Sequence, residues 1–358
     1  MSILVVGLLM NLCIARFTKF KYVFLTGHHS LFMACLMSAV LGTAGLSGME
    51  LILVGGFLMG AWSAISPAIG QSYTSKVTDG DEIAIGHFGS LGYYLSAWVA
   101  KYVGKADDST EDIEIPEKWG FLRDSTLSTA LTMIVFYLIA AFAAGSEFVA
   151  TLSGDMSPYL YAVMSAMNFA VGVTIVYSGV RMILGDLIPA FQGIATKIIP
   201  NAIPAVDCAV FFTYAPTAVV LGFISSFIGG IIGMLILGAV GGVLIIPGLV
   251  PHFFCGATAG IYGNATGGRR GAAVGAFLNG LAITFLPAMA LPVLGQLGFQ
   301  NTTFGDADFA VMGLVLGNAY EWVGMAGIYG IVAIAALVLI IPNFIKTKGK
   351  VINYVEED

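Results

Sequence analysis

Three short polar segments interrupt an otherwise apolar chain, and their side chains are the ones best suited to bind a polar ligand. They lie at 26–29 (TGHH), 85–87 (IGH) and 205–208 (AVDC). An ionisable group at membrane depth costs on the order of 2.5–3.5 kcal/mol, so such groups are usually kept for a binding site or a transport pathway. We therefore expect the three segments to converge on one pocket.

The first segment carries the histidine pair His28 and His29, directly before a long apolar run. In one interpretation the pair lies at the membrane interface, where it meets lipid headgroups beside Lys21. In the other, a ring turns inward at the start of a helix, where free N–H groups favour an anionic ligand. We expect one ring of the pair in each position.

The second and third segments each carry one ionisable group. His87 is either a buried ring satisfied by a carbonyl or a ligand donor, with Phe88 as an apolar face for a sugar-like ring. Asp207 has no basic residue between Lys197 and Arg269 to pair with, so it must be hydrogen-bonded, protonated or solvated. It is either a structural cap on a broken helix or an acceptor for ligand hydroxyls.

The rest of the chain offers little chemistry. His252 follows Pro247 and Pro251 and precedes a Gly/Ala run, and it either lines the same cavity or lies in an interfacial loop. Nothing resembles a phosphate-binding loop, a nucleophile elbow or a metal-binding cluster, so we expect no catalytic residue, metal or cofactor on this chain. The four cysteines lack CxxC spacing and indicate neither a disulfide framework nor a zinc site.

The composition is that of a polytopic membrane protein. Of 358 residues, 58% are hydrophobic and only 10% are charged, whereas average globular domains carry about 25% charged residues. The net charge is −6 and the basic residues are scattered, which excludes a nucleic-acid-binding surface. We expect an all-α bundle of about eight to ten transmembrane helices, counted from apolar runs.

Several apolar segments are broken by Gly, Pro, His or Asn, and we expect these to be re-entrant or broken helices. The pattern of a polar segment, two long apolar runs and a broken segment occurs in both halves, as in transporters built from inverted repeats. The polar stretch 104–124 is expected to link the halves, and 181–200 to form an amphipathic helix that lies along the surface or packs beneath the bundle. The basic clusters at 16–21 and 346–350 are expected in the cytoplasm.

The first apolar run, 2–15, is shorter than the ~17–25 residues of a spanning helix. It is either a tilted or interfacial helix, or a sign that the chain lacks N-terminal spans. The predicted organisation is a transport domain at 1–345 and a cytoplasmic tail at 346–358.

Taken together, the motifs resemble those of the ascorbate-type membrane (IIC) component of the bacterial phosphoenolpyruvate-dependent phosphotransferase system. The resemblance runs from about residue 11 to the C-terminal apolar run. The family pattern also extends upstream of Met1, so the resemblance implies that the transport domain at 1–345 lacks its N-terminal spans. Its motifs are LTGH (25–28), VTDG (77–80), IGH (85–87), STED (109–112), GVRM (179–182), IPAVDCA (203–209), YAPTAVVLGF (214–223) and LIIPGLVP (244–251).

This resemblance implies a homodimeric, multi-pass protein of the bacterial cell membrane, with a substrate-binding core domain and a dimerising scaffold domain. It implies elevator-type import of ascorbate or a related small sugar acid. The substrate would be phosphorylated by a separate IIB protein carrying a phosphocysteine, itself charged by a IIA protein.

The resemblance also implies ligand roles for His28, His87 and Asp207, with His29, Phe32 and Phe88 around them. The family pattern has glutamine where this chain has Phe32 and Phe88, so the exact sugar acid stays open. Two other functions remain as alternatives: a proton-coupled secondary carrier of an organic anion, and an inactive fragment.

Overall fold

The computed structural model describes residues 1–80, 83–114, 125–294 and 303–345. These residues are mostly helical, as the composition predicts. The first half contains α1 (Ser2–Phe17), β1 (Tyr22–Phe24), α2 (Gly27–Thr43), α3 (Gly48–Ile69), α4 (Gln71–Val77), β2 (Ala84–Ile85), α5 (Ser90–Val103), α6 (Ser125–Ala144) and α7 (Ser146–Ser153). The second half contains α8 (Pro158–Lys197), β3 (Ile203–Val206), α9 (Cys208–Phe211), α10 (Pro216–Ala239), α11 (Leu249–Leu294), α12 (Ala307–Val323) and α13 (Met325–Ile340).

Six helices of the described residues are long and apolar enough to cross a membrane. They are α3, α6, α8, α10, α11 and α13. The all-α polytopic fold is therefore confirmed, while the number of crossings stays a prediction. The predicted tail at 346–358 lies outside the described residues.

A small parallel sheet, which the sequence did not predict, joins three distant parts of the chain. Its strand order is β1-β3-β2, so β3 pairs with both others. Tyr22 lies opposite Ile203, and Ala84 lies opposite Ala205. The ladder continues past the strands, because Gly86 N–H donates to the Val206 carbonyl at 2.7 Å.

Two residues explain how so short a sheet forms. The buried amide of Asn11 donates to the Tyr22 carbonyl at 3.2 Å and accepts from Phe24 N–H at 3.0 Å, so it satisfies the outer edge of β1. On the other side, a Cβ at Gly86 would lie 2.3 Å from the Ala205 carbonyl oxygen. Glycine is therefore required there for the close approach of the two backbones.

The helix α11 is a hairpin of two helices. A straight helix of 46 residues would be about 69 Å long, roughly twice the hydrocarbon thickness of a bilayer. The backbone instead breaks at Gly268, where φ is 61° and ψ is −153°. Gly263 and Gly271 then meet, since a Cβ on Gly263 would lie 2.4 Å from the Gly271 oxygen. This broken helix agrees with the expectation of re-entrant segments.

The described part of the polar loop, 104–114, closes over the turn of this hairpin. Thr110 N–H donates to the Asn264 side chain at 2.8 Å, and Arg269 N–H donates to the Asp108 carbonyl at 2.7 Å. Glu111 accepts from Thr217 N–H at 3.1 Å and so caps the start of α10. The loop thus ties α5, α10 and α11 together at one end.

Residues 181–197 form the C-terminal part of the 40-residue helix α8, which runs from Pro158 to Lys197. The helix predicted at 181–200 is therefore present as the continuation of a longer helix. Near its end, Phe191 is buried against Ala15 and Val23. Phe191 thus packs onto the α1–β1 region.

Candidate functional site

The sheet explains why the three polar segments meet. Each segment includes or directly follows the carboxyl end of a strand: β1 precedes 26–29, β2 precedes 86–87 and β3 precedes Asp207. Because parallel strands end at the same edge of their sheet, the polar side chains are delivered to one place. The chain then continues into helices α2, α5 and α9, which begin at that edge.

A cavity of about 670 Å³ lies at this edge. The structure brings five of the six predicted site residues to it: His28, His29, Phe32, His87 and Asp207. Further walls come from α11 and from the segment before α12, including Phe254, Phe304, Asp306 and Phe309. The cavity is thus an apolar chamber with a few convergent polar groups, which is typical of small-molecule sites.

The two histidines of the first segment both line the cavity, but in different ways. His28 Nε2 lies 3.6 Å from Asp207 Oδ2, and these side chains are 57% and 31% exposed. His29 is only 5% exposed, and its Nε2 lies 3.7 Å from Asp306 Oδ2. His28 therefore faces open space, whereas His29 forms the floor.

Backbone hydrogen bonds fix which ring nitrogens carry the proton. His29 Nδ1 accepts from Phe88 N–H at 3.2 Å, and His87 Nδ1 accepts from Gly89 N–H at 3.2 Å. The Tyr93 hydroxyl also lies 2.8 Å from His87 Nδ1. Each neutral ring must then carry its proton on Nε2, so both act as hydrogen-bond donors through that atom.

The position of the proton on these histidines affects two groups of side chains that are close enough to hold a metal ion. One is His29, His87 and Asp306; the other is His87, Asp207 and Cys208. A histidine that binds a metal normally donates its other N–H to an acceptor. In His29 and His87, Nδ1 instead accepts a hydrogen bond. Nε2 therefore carries the proton and has no lone pair available for a metal. The groups therefore suit a hydrogen-bonding ligand better than a metal.

Phe88 does not line the cavity, which corrects its predicted placement. Its side chain is 0% exposed and stacks on Phe24 with ring centroids 4.5 Å apart. Neighbouring residues of an extended segment point to opposite sides, so the ring of Phe88 turns away where His87 turns in. Phe32, by contrast, is 48% exposed and lies in the cavity wall.

His252 also lies elsewhere than either interpretation placed it. It is 2% exposed, within helix α11, and its Nδ1 lies 2.9 Å from the Ser226 hydroxyl of α10. It is neither a cavity residue nor part of an interfacial loop. Its ring packs against Gly230, where a Cβ would lie 2.4 Å from the imidazole.

Two acids at the start of α12 were not predicted as site residues. Asp306 lines the cavity, and its Oδ1 accepts from the Cys255 thiol at 2.9 Å. Asp308 is fully buried and accepts from Leu91 N–H at 2.9 Å and the Ser90 hydroxyl at 2.8 Å. Asp308 therefore fixes the start of α5 beside the start of α12, close behind His87.

Comparisons with known proteins place the chain in a family. A family model described as "PTS system sugar-specific permease component" matches residues 1–308. A similar curated protein is the ascorbate-specific PTS system EIIC component of Mycoplasma pneumoniae, 26% identical over 364 residues. The alignment covers 89% of this chain and 55% of that protein.

The chain thus spans about half the length of the curated relative it matches. The family match includes all three polar segments and ends at Asp308, within the first turn of α12. The six long apolar helices among the described residues fit a multi-pass protein of the plasma membrane. The chain belongs to the family of sugar-specific permease components of the phosphotransferase system.

Proposed function

We propose that this chain is the translocating subunit for a small sugar acid, ascorbate or a close relative. The observation that carries the proposal is the meeting of three imidazoles and two carboxylates in one otherwise apolar cavity. The described volume lies within the ~300–1,000 Å³ of ordinary ligand pockets. A polar ligand would satisfy groups that are otherwise costly at membrane depth.

The protonation pattern supports a ligand with both acceptors and hydroxyl donors. The Nε2–H groups of His29 and His87 would donate to an anionic or enediol oxygen, and Asp207 would accept from a hydroxyl. The starts of α2 and α12 lie at the cavity, and their N–H groups favour negative charge. These helix ends offset the charge of the two carboxylates.

The aromatic wall bears on which sugar acid binds. Of the two positions where the resembled family has glutamine, only Phe32 lies in the cavity, while Phe88 is buried behind His29. Phe32 is therefore the one position of the two at which the ligand would lack the amide hydrogen-bond partner of the resembled family. An apolar face at that position favours stacking on the ring of the sugar acid.

The chemistry of phosphorylation would come from elsewhere. The resemblance supports a separate IIB protein with a phosphocysteine, charged by a separate IIA protein, as the phosphoryl donor. It likewise supports a homodimer and an elevator motion of a core domain against a scaffold. The IIB and IIA partners, the homodimer, the elevator motion and the inverted repeats are all parts of this proposal.

The test is uptake into proteoliposomes that contain this chain, with phosphoenolpyruvate, the IIA and IIB proteins and the soluble phosphotransferase proteins that pass the phosphoryl group from phosphoenolpyruvate to IIA inside. We expect internal L-ascorbate phosphate, and no uptake without phosphoenolpyruvate. Unmodified ascorbate, delivered in a manner that an uncoupler abolishes, would contradict the proposal in favour of a proton-coupled carrier. Absence of transport both with phosphoenolpyruvate and with a proton gradient would favour an inactive fragment.

A further inference from the structure

Asp306 presents a carboxylate oxygen to the cavity that the protein leaves open. Its Oδ1 is engaged by the Cys255 thiol at 2.9 Å. Its Oδ2 lies 3.7 Å from His29 Nε2, which is beyond hydrogen-bond distance. The side chain is 16% exposed, and Asp306 is a lining residue. A ligand donor could therefore reach Oδ2.

A purely structural role for this side chain is not supported. Asp306 is the N-cap residue of α12, where a side-chain oxygen usually accepts from the first turn of the helix. Its side chain makes no such bond. The wall beside it also holds Thr303, whose buried hydroxyl oxygen has no hydrogen-bond partner among the described residues. Buried polar atoms without partners are rare unless something else satisfies them.

His87 lies close to both carboxylates. One nitrogen of His87 lies within 4.8 Å of an oxygen of Asp306 in one group of side chains, and the same holds for Asp207 in another group. Each carboxylate also has its own imidazole, His29 beside Asp306 and His28 beside Asp207. The cavity thus offers two acceptors that are both near the same donor.

We propose that Asp306 is a specificity-determining residue that accepts a hydrogen bond from a second ligand hydroxyl. The site would then select sugar acids in which an acceptor oxygen lies between two hydroxyl groups. The acceptor oxygen binds His87, and the flanking hydroxyls bind Asp207 and Asp306. This inference rests on the proposed function and adds a substrate rule to it.

L-Ascorbate fits the rule, because its 3-oxygen lies between the 2-hydroxyl and the 5-hydroxyl of the side chain. Two analogues each remove one flanking donor: 2-O-methyl-L-ascorbate and 5-deoxy-L-ascorbate. The experiment measures the Kd of all three ligands for the full chain in nanodiscs, for wild type, Asp306→Asn and Asp207→Asn. Asp308→Asn is the matched control, because Asp308 is a buried neighbour outside the cavity lining.

We expect Asp306→Asn to weaken L-ascorbate binding about tenfold or more, as for other hydrogen bonds to charged groups. One of the two analogues lacks the hydroxyl that Asp306 contacts. For that analogue, the Kd of Asp306→Asn should equal the Kd of wild type. For the other analogue, the Kd of Asp207→Asn should equal the Kd of wild type. Asp308→Asn should lower Tm and leave the ratios of the three Kd values unchanged.

Three results would overturn the inference. An unchanged Kd in Asp306→Asn would show that the carboxylate does not contact the ligand, and an equal penalty for all three ligands would show a structural role. A wild-type chain that binds none of the three would overturn the proposed function as well. If Asp306→Asn does not fold, Asp306→Glu keeps the charge, and unaltered ligand ratios in that variant would overturn the inference too.

Discussion

Asp207 follows the central strand of the sheet, and it is the residue on which ligand binding should depend most. Its carboxylate lies 3.6 Å from His28 and is partly exposed to the cavity. Asp207→Asn keeps the shape and removes the charge. We expect substrate affinity to fall about tenfold or more, since hydrogen bonds to charged groups contribute about 1.5–3 kcal/mol. The measurement is the Kd of L-ascorbate, with Tm and membrane insertion unchanged as controls.

Unchanged affinity in that variant would exclude Asp207 from the ligand contacts. It would then favour the alternative role of Asp207 as a cap on the broken segment. Loss of membrane insertion would point to the same structural role.

Phe32 and Phe88 should separate binding from stability. Phe88 is fully buried against Phe24, so Phe88→Ala should lower the free energy of unfolding by about 3–5 kcal/mol. Phe32 is half exposed in the cavity wall, so Phe32→Ala should weaken ligand binding with little change in Tm. Thermal unfolding and ligand titration of both variants make the comparison. The reverse pattern would place Phe88, and not Phe32, at the ligand.

Much of the cavity could be predicted from single residues, and the reason is physical. His28, His87 and Asp207 stand out because ionisable groups are rare in apolar segments. Asp306 did not stand out, because an acid just before a helix is common as a cap. Phe88 was misplaced because adjacency to His87 in sequence does not imply the same direction in an extended segment.

At the scale of elements, the turn of the α11 hairpin depends on Gly268. Its φ of 61° is unfavourable for other residues, and a Cβ there would lie 2.3 Å from the carbonyl oxygens of Asp108 and Lys105. We expect Gly268→Ala to destabilise the fold by about 2–3 kcal/mol or more. Gly330→Ala is the control, because a Cβ at Gly330 meets nothing within 4 Å in helix α13.

Tm and the yield of folded protein measure both glycine variants. Gly330→Ala should leave Tm unchanged or slightly raised, since alanine has the higher helix propensity. Equal behaviour of the two variants would contradict a sterically required turn at Gly268.

Long elements were predictable and short ones were not. Long apolar runs form α3 (Gly48–Ile69), α6 (Ser125–Ala144) and α10 (Pro216–Ala239), because their length and hydropathy leave few alternatives. The strands have 3, 2 and 4 residues, too few to show the alternation that identifies a strand. The sheet that gathers the site was therefore invisible in the sequence.

At the scale of the whole molecule, the cavity collects residues from most of the chain, between His28 and Phe309. A ligand that binds only this folded arrangement must stabilise all of it. At a concentration of 100 times Kd, L-ascorbate should add about 2.7 kcal/mol to the free energy of unfolding. Thermal unfolding with and without ligand measures this, with sorbitol as a control that lacks the acidic oxygen. A rise in Tm that is equal for both compounds would indicate a nonspecific solvent effect.

The strand order β1-β3-β2 has a consequence for biogenesis. Because β1 and β2 pair only with β3, neither has its partner until Ile203–Val206 has been synthesised. The segments that carry His28 and His87 therefore lack their partner strand while the ribosome translates more than a hundred further residues. The candidate site is consequently absent from the nascent chain until β3 arrives, and it is complete only after Asp306 and Phe309 have been synthesised as well.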